Sequence, residues 1–166
     1  ECVFFQNESN KDFFMNHGIT LKRYKVIPGS GINIDEFQYQ EYPKDNNSVR
    51  FLFIGRIMKD KGIEELIEAA KRVKEEHTNV QFDALGFCED EYKYKVEILQ
   101  KKNIITFHGV KDTVREYLKN SHAVIHPTYH EGMSNVLLEA AATGRPVIAS
   151  NIPGCREIFD EGISGF

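Results

Sequence analysis

Few cysteines, no cationic stripe and no long apolar run mark this sequence, and each shortage removes a class of protein. Cys2, Cys88 and Cys155 are odd in number and scattered. Without framework spacing they read as reduced thiols of a cytosolic protein, and without a CxxC pair they do not form a structural zinc site. The net charge of −4 comes with no basic stripe, which argues against duplex nucleic acid as a partner. No apolar run reaches the length of a membrane span and no secretory signal opens the chain. The expected location is therefore the cytoplasm, with a peripheral place at the inner face of the plasma membrane left open. Motifs are missing too: there is no GxxxxGK[ST] P-loop, no Gly-x-Ser-x-Gly elbow and no Asp-x-Asp pair. The first two absences argue against those phosphate and hydrolase sites. The third removes a common way of holding a divalent ion on a nucleotide diphosphate.

What is present is ordinary soluble composition, 41% hydrophobic and 28% charged over 166 residues. That length suits one domain, or one domain and a fragment, with a real core. The chain begins at the strand-like run CVFFQN and stops at GISGF. Both ends read as cuts through a larger protein.

From Val49 onward, continuous apolar or β-branched runs alternate with helical patterns. The runs are 49–55, 80–86, 104–109, 123–128 and 146–150, as expected of strands covered on both faces. Between the first two, Ile63, Leu66, Ile67, Ala70 and Val73 share one helical face, with Glu64 and Glu65 in the first turn. Further helices are expected at 89–102, 112–120, 134–143 and 155–161, and Gly144-Arg145-Pro146 supplies a stop. This order predicts an α/β fold, a Rossmann-like doubly wound parallel sheet with right-handed crossovers. Before it, residues 1–37 read as strand, helix (9–17) and the strand KRYKVI, and the polar stretch 38–48 reads as a linker to the domain 49–166.

Ligands of open α/β sheets bind at the carboxyl ends of the strands, so the candidate residues lie in the loops there. GRIMKDKG (55–62) turns at Gly55 and carries Arg56 and Lys61 toward a helix N-terminus, which favours anions. Phosphate binding and solvated surface charge are both open readings of it. PGSGIN (28–33) is half of a dinucleotide fingerprint, Ile34 standing where the third glycine belongs. It reads either as a close approach of backbone to ligand or as a turn into the linker. HPTYHE (126–131) has metal-like spacing, but Pro127 breaks the helical geometry that HxxxH needs, so its histidines read as loop or packing groups, His130 near a ligand. Cys155 lacks a partner base and reads as packing. Glu131 and Glu139 stand eight positions apart, the first in the loop after the fourth run, the second in the next helix. The N–H groups from Gly132 to Asn135 lie between them, an anion cradle flanked by two acceptors of hydroxyl hydrogen bonds.

Together these residues resemble glycosyltransferase family 4, retaining enzymes of the two-domain GT-B architecture. The resemblance rests on GRIMKDKG, on HGV (108–110), on EGMSNVLLEAAATGRPVIAS and on the tail GCREIFDEGISGF. It covers 49–166 closely as the C-terminal donor-binding half, and 1–37 as the end of the preceding acceptor domain. The wording is most similar to bacterial capsule and exopolysaccharide transferases. The resemblance implies that Arg56 and Lys61, beside Gly55, neutralise the diphosphate of a UDP-sugar donor. Glu139 would hold the ribose hydroxyls, and Glu131 the transferred sugar. Backbone N–H groups of Gly132, Met133, Ser134 and Asn135 would meet sugar and phosphates, and Val110 would lie beside the base. Glu131, Arg56 and Lys61 are then the catalytic candidates, with no metal or other cofactor. The implied acceptor is a saccharide or polyprenyl-linked saccharide, with membrane contact through the preceding domain. Same-face attack would leave Glu131 no role as a covalent nucleophile. The stretch by itself is expected to bind donor weakly and to transfer sugar poorly or not at all. Two alternatives stand beside this reading: a GT-B-like UDP-sugar 2-epimerase and a non-catalytic nucleotide-binding module.

Overall fold

The computed structural model describes residues 2–44 and 47–166, so residues 45 and 46 of the expected linker lie outside the described residues. Five strands form one parallel sheet: β3 (Val49–Ile54), β4 (Val80–Leu85), β5 (Thr106–Phe107), β6 (Ala123–His126) and β7 (Val147–Ala149). A separate parallel pair, β1 (Val3–Phe5) and β2 (Tyr24–Val26), is joined by helix α1 (Glu8–Asn16).

Alternation along the strands sends neighbouring side chains to opposite faces. Phe53, Phe82 and Ala84 meet Leu66, Ile67 and Ala70 of α2 (Ile63–Glu76), and Tyr92, Val96 and Leu99 of α3 (Asp90–Lys101). On the other face Leu52, Leu85, Val124 and Val147 meet Leu118 of α4 (Arg115–Lys119) and Leu137 and Ala140 of α5 (Asn135–Ala142). Each large apolar side chain so buried contributes about 1.5–3 kcal/mol before the entropy of ordering is counted. The five expected strands are all present. β5 shrinks to two residues at the sheet edge, and β6 stops before Pro127, which has no N–H for the ladder.

The expected helix at 155–161 does not form. The segment is a series of turns, with Gly154 at φ +87° and its N–H donated to the Glu157 carboxylate at 2.8 Å. The chain beyond instead runs beside β7: Val147 N–H donates to Ser164 O at 3.2 Å, and Phe166 N–H donates to Val147 O at 2.9 Å. A seven-residue run is marginal as a helix on its own, and these residues make local turns that bring Ser164 and Phe166 to the edge of β7.

The described part of 38–48 lies strapped to the sheet domain. Arg145, only 2% exposed, donates from Nε to Leu118 O at 3.0 Å and from Nη2 to Glu41 O at 2.7 Å and Gln40 O at 3.1 Å.

The strand order is β5-β4-β3-β6-β7, so the chain reverses its direction of growth between β3 and β6. The crevice at such a reversal, outside the carboxyl ends of the strands, is where this class of sheet holds its ligands. Here the loops after β3 and β6 form it.

Candidate functional site

Those two loops are pressed together. Gly62 has φ +71°, and a Cβ there would lie 1.9 Å from Pro127 O, so no side chain fits. Tyr129 N–H donates to Asp60 O at 3.0 Å. A single 3₁₀ turn at Lys59–Lys61 leads into Gly62 and α2.

This contact brings Lys61 Nζ to 2.6 Å from Glu131 Oε1. The same oxygen lies 3.0 Å from His126 Nε2, which is also 3.1 Å from Ser134 Oγ. The Glu131 side chain is 15% exposed. Burial works to raise its carboxyl, but the hydrogen bonds from His126 and Lys61 outweigh it and hold the group at about 2. Glu131 is therefore a carboxylate throughout the physiological range.

Glu139 meets different surroundings. It is half-buried in the second turn of α5, its carboxylate has no hydrogen bond or ion pair among the described residues, and burial pushes its carboxyl up. Arg56 is exposed, with Nη1 4.0 Å from Glu89 Oε1, too distant to fix it. Val110 is 68% exposed after the left-handed turn at Gly109. Behind that turn His108 Nε2 meets Asp83 Oδ1 at 2.5 Å.

The cradle between the glutamates is narrower than expected. Ser134 N–H is not free: it donates to Gly154 O at 2.8 Å, while Ser134 Oγ caps α5 by accepting from Leu137 N–H at 3.4 Å. Among the described residues, the amides of Gly132, Met133 and Asn135 have no protein acceptor. Burial pushes the Cys155 thiol up to about 12, so that residue is packing and no nucleophile.

The first 37 residues contribute more to this place than their sequence suggests. Asn7 caps α1 through Oδ1, while its Nδ2 donates to Gly132 O at 2.7 Å. Gly29, at φ +73°, sits where a Cβ would lie 2.6 Å from the Met133 side chain, and Asn135 Nδ2 donates to Ser30 Oγ at 3.3 Å. PGSGIN is thus a wall against the glutamate loop. A cleft of about 470 Å³ opens beside Glu131, lined among others by Phe13, Tyr129 and His130. Asn7, Ser30 and His126 were missed as site residues. Ser30 and His126 lie in PGSGIN and HPTYHE, which stood out as loops after strands, whereas Asn7 carried no signal.

Fold and geometry together define an α/β domain whose switch-point crevice gathers Arg56, Lys61, Glu131 and the open amides of the following loop. The glycosyl transferases group 1 family model matches residues 34–166, and the chain belongs to that family. The capsular polysaccharide biosynthesis glycosyltransferase CapM of Staphylococcus aureus is 32% identical over 177 residues, covering 96% of this chain and 46% of the relative. The N,N'-diacetylbacillosaminyl-diphospho-undecaprenol alpha-1,3-N-acetylgalactosaminyltransferase of Campylobacter jejuni is 28% identical, covering 97% of this chain and 45% of the relative. The chain thus spans about half the length of these relatives. Among solved structures, Anabaena HepE in complex with UDP and glucose matches at a TM-score of 0.81 and 20% identity, over 99% of this chain and 48% of that one. WaaG, a glycosyltransferase involved in lipopolysaccharide biosynthesis, matches at 0.79 and 21%, over 99% and 48%. These likenesses show that the fold is that of the GT-B glycosyltransferases. The epimerase alternative is not favoured.

Proposed function

We propose that the chain is the donor-binding part of a retaining glycosyltransferase. It would move a hexose or N-acetylhexosamine from a UDP-sugar to a saccharide or polyprenyl-linked acceptor in capsular or exopolysaccharide assembly. The observation that carries this reading is the Lys61–Glu131 pair at 2.6 Å in the switch-point crevice, next to amides and a Glu139 carboxylate that have no partner among the described residues. Support for the donor and acceptor classes comes from relatives: HepE has been seen with UDP and glucose, and the Campylobacter protein is named for an undecaprenol-linked acceptor. Residues 49–166 form the donor domain in this proposal, 1–37 the end of the acceptor domain, and 38–48 the connection.

Breaking the sugar–phosphate bond gathers negative charge on the departing diphosphate and leaves the sugar oxocarbenium-like. Arg56 and Lys61 answer that charge, with the amides of Gly132, Met133 and Asn135, and no resident metal is needed in this scheme. An ammonium has three donors, so Lys61 can keep Glu131 while it meets a phosphate oxygen. Glu131 accepts hydrogen bonds from hydroxyls of the transferred sugar, and Glu139 from the ribose. Acceptor attack from the face the diphosphate leaves gives retention without a glycosyl-enzyme bond.

Titrating the full-length protein with UDP tests the site. Binding that weakens at least tenfold in the Arg56→Ala, Lys61→Ala double variant is expected. No binding to wild type, or unchanged binding in the variant, sinks the diphosphate assignment. Turnover that depends on acceptor is the expected activity, and epimerisation without acceptor would replace it.

A further inference from the structure

His126 is the last residue of β6 and only 3% exposed, sharing its face of the strand with buried Val124. An apolar side chain would fill this place at lower cost, because a buried imidazole needs partners for two nitrogens. It has them for one. Nε2 lies 3.0 Å from Glu131 Oε1 and 3.1 Å from Ser134 Oγ, whereas Nδ1 is buried with no hydrogen-bond partner among the described residues. That asymmetry selects a tautomer. Nε2 must carry a proton to hydrogen-bond a carboxylate, and a bare Nδ1 avoids burying a second N–H without an acceptor.

Both His126 and Lys61 engage Oε1 of Glu131, and Oε2 has no hydrogen bond among the described residues. We propose that His126 is a positioning residue of the sugar site: its Nε2–H fixes the Glu131 carboxylate through Oε1 and leaves Oε2 for a donor-sugar hydroxyl. This rests on the reading of Glu131 as the sugar-holding carboxylate. The need for it follows from the second task of Lys61. A lysine that must also answer the diphosphate is a mobile anchor, so a carboxylate held by Lys61 alone would shift as the charge on the leaving group grows. His126 keeps it in place from a rigid strand end. Through Ser134 Oγ the same nitrogen ties Glu131 to the cap of α5, the helix that carries Glu139.

The test uses the full-length protein, with turnover of its UDP-sugar donor and affinity for UDP read separately. His126→Leu should lower kcat at least tenfold while the Kd for UDP stays within twofold, because UDP carries no sugar for Glu131 to hold. His126→Gln places an amide nitrogen near the position of Nε2 and should return kcat to within threefold of wild type. His126→Asn, too short to reach, should stay as slow as Leu. Adding His126→Leu to Glu131→Gln should cost nothing further. Wild-type kcat in His126→Leu overturns the proposal, as does a UDP affinity that falls in step with kcat. If the leucine variant is not recovered folded, the Gln and Asn variants decide alone, and equal rates in those two overturn it. Turnover at the wild-type rate in Glu131→Gln would remove the parent reading too, whereas a slow Glu131→Gln beside a fast His126→Leu removes only the role of His126.

Discussion

Glu131 and Glu139 flank one strand-to-helix junction, yet Lys61 and His126 hold the first while the second has no side-chain partner among the described residues. Their carboxyls move in opposite directions for that reason. Glu131 drops to about 2 despite its burial, and Glu139 rises because of its own. One group is organised before any ligand arrives. The other bears a desolvation cost that a ligand hydroxyl can offset. The contrast teaches that equal residues in one motif meet unequal surroundings, and that the local network sets the difference.

The largest effect is expected at Glu131. In the full-length protein Glu131→Gln should lower turnover on the order of a hundredfold, the scale of losing one preorganised polar contact in a transition state. Equal turnover in Glu139→Gln and Glu131→Gln would break the comparison. Next comes Lys61→Ala, with UDP binding weakened about tenfold by loss of a charged hydrogen bond. Its melting temperature should also fall, because a nearly buried carboxylate then keeps, among the described residues, only His126.

Glu139→Gln should weaken UDP by about threefold to tenfold, the scale of one hydrogen bond. Without ligand, however, it should melt slightly above wild type, since the amide removes the cost of burying a charge. Glu131→Gln should melt below wild type. The smallest effect is in the pH dependence of unfolding. Glu131 binds fewer protons folded than unfolded, so its contribution is full above its ordinary value of 4.5 and is lost as pH falls toward about 2. Glu139 binds more protons folded, so its contribution grows as pH falls through its raised value toward 4.5 and below. Denaturation of each glutamine variant against wild type across that range should show differences that move in opposite directions.

The sheet was legible because its strands are short runs dominated by apolar and β-branched residues, and α2 because Ile63, Leu66, Ile67 and Ala70 recur at helical spacing. The turn segment after Gly154 was not, since it is shaped by the pairing of Ser164 and Phe166 with β7, which the chain reaches only by folding. Arg56, Lys61 and Glu131 could be picked out by their places after strands, and Glu139 by its place in the helix that follows Glu131. That Lys61 and Glu131 touch across 70 positions could not be, because it follows from β3 lying beside β6. Asn7 reaches Gly132 across 125 positions by the same kind of closure. The lost amide of Ser134 and the role of His126 depend on individual hydrogen bonds, which periodicity does not encode.

The central claim is that the two carboxylates hold different parts of one ligand. Calorimetric titration of the full-length Glu131→Gln and Glu139→Gln variants, first with UDP and then with the UDP-sugar that turns over, tests it most directly. Glu139→Gln should weaken both ligands alike, and Glu131→Gln should weaken the UDP-sugar while binding UDP as wild type does. Equal loss of UDP affinity in both variants, or undiminished UDP binding in Glu139→Gln, would contradict the account.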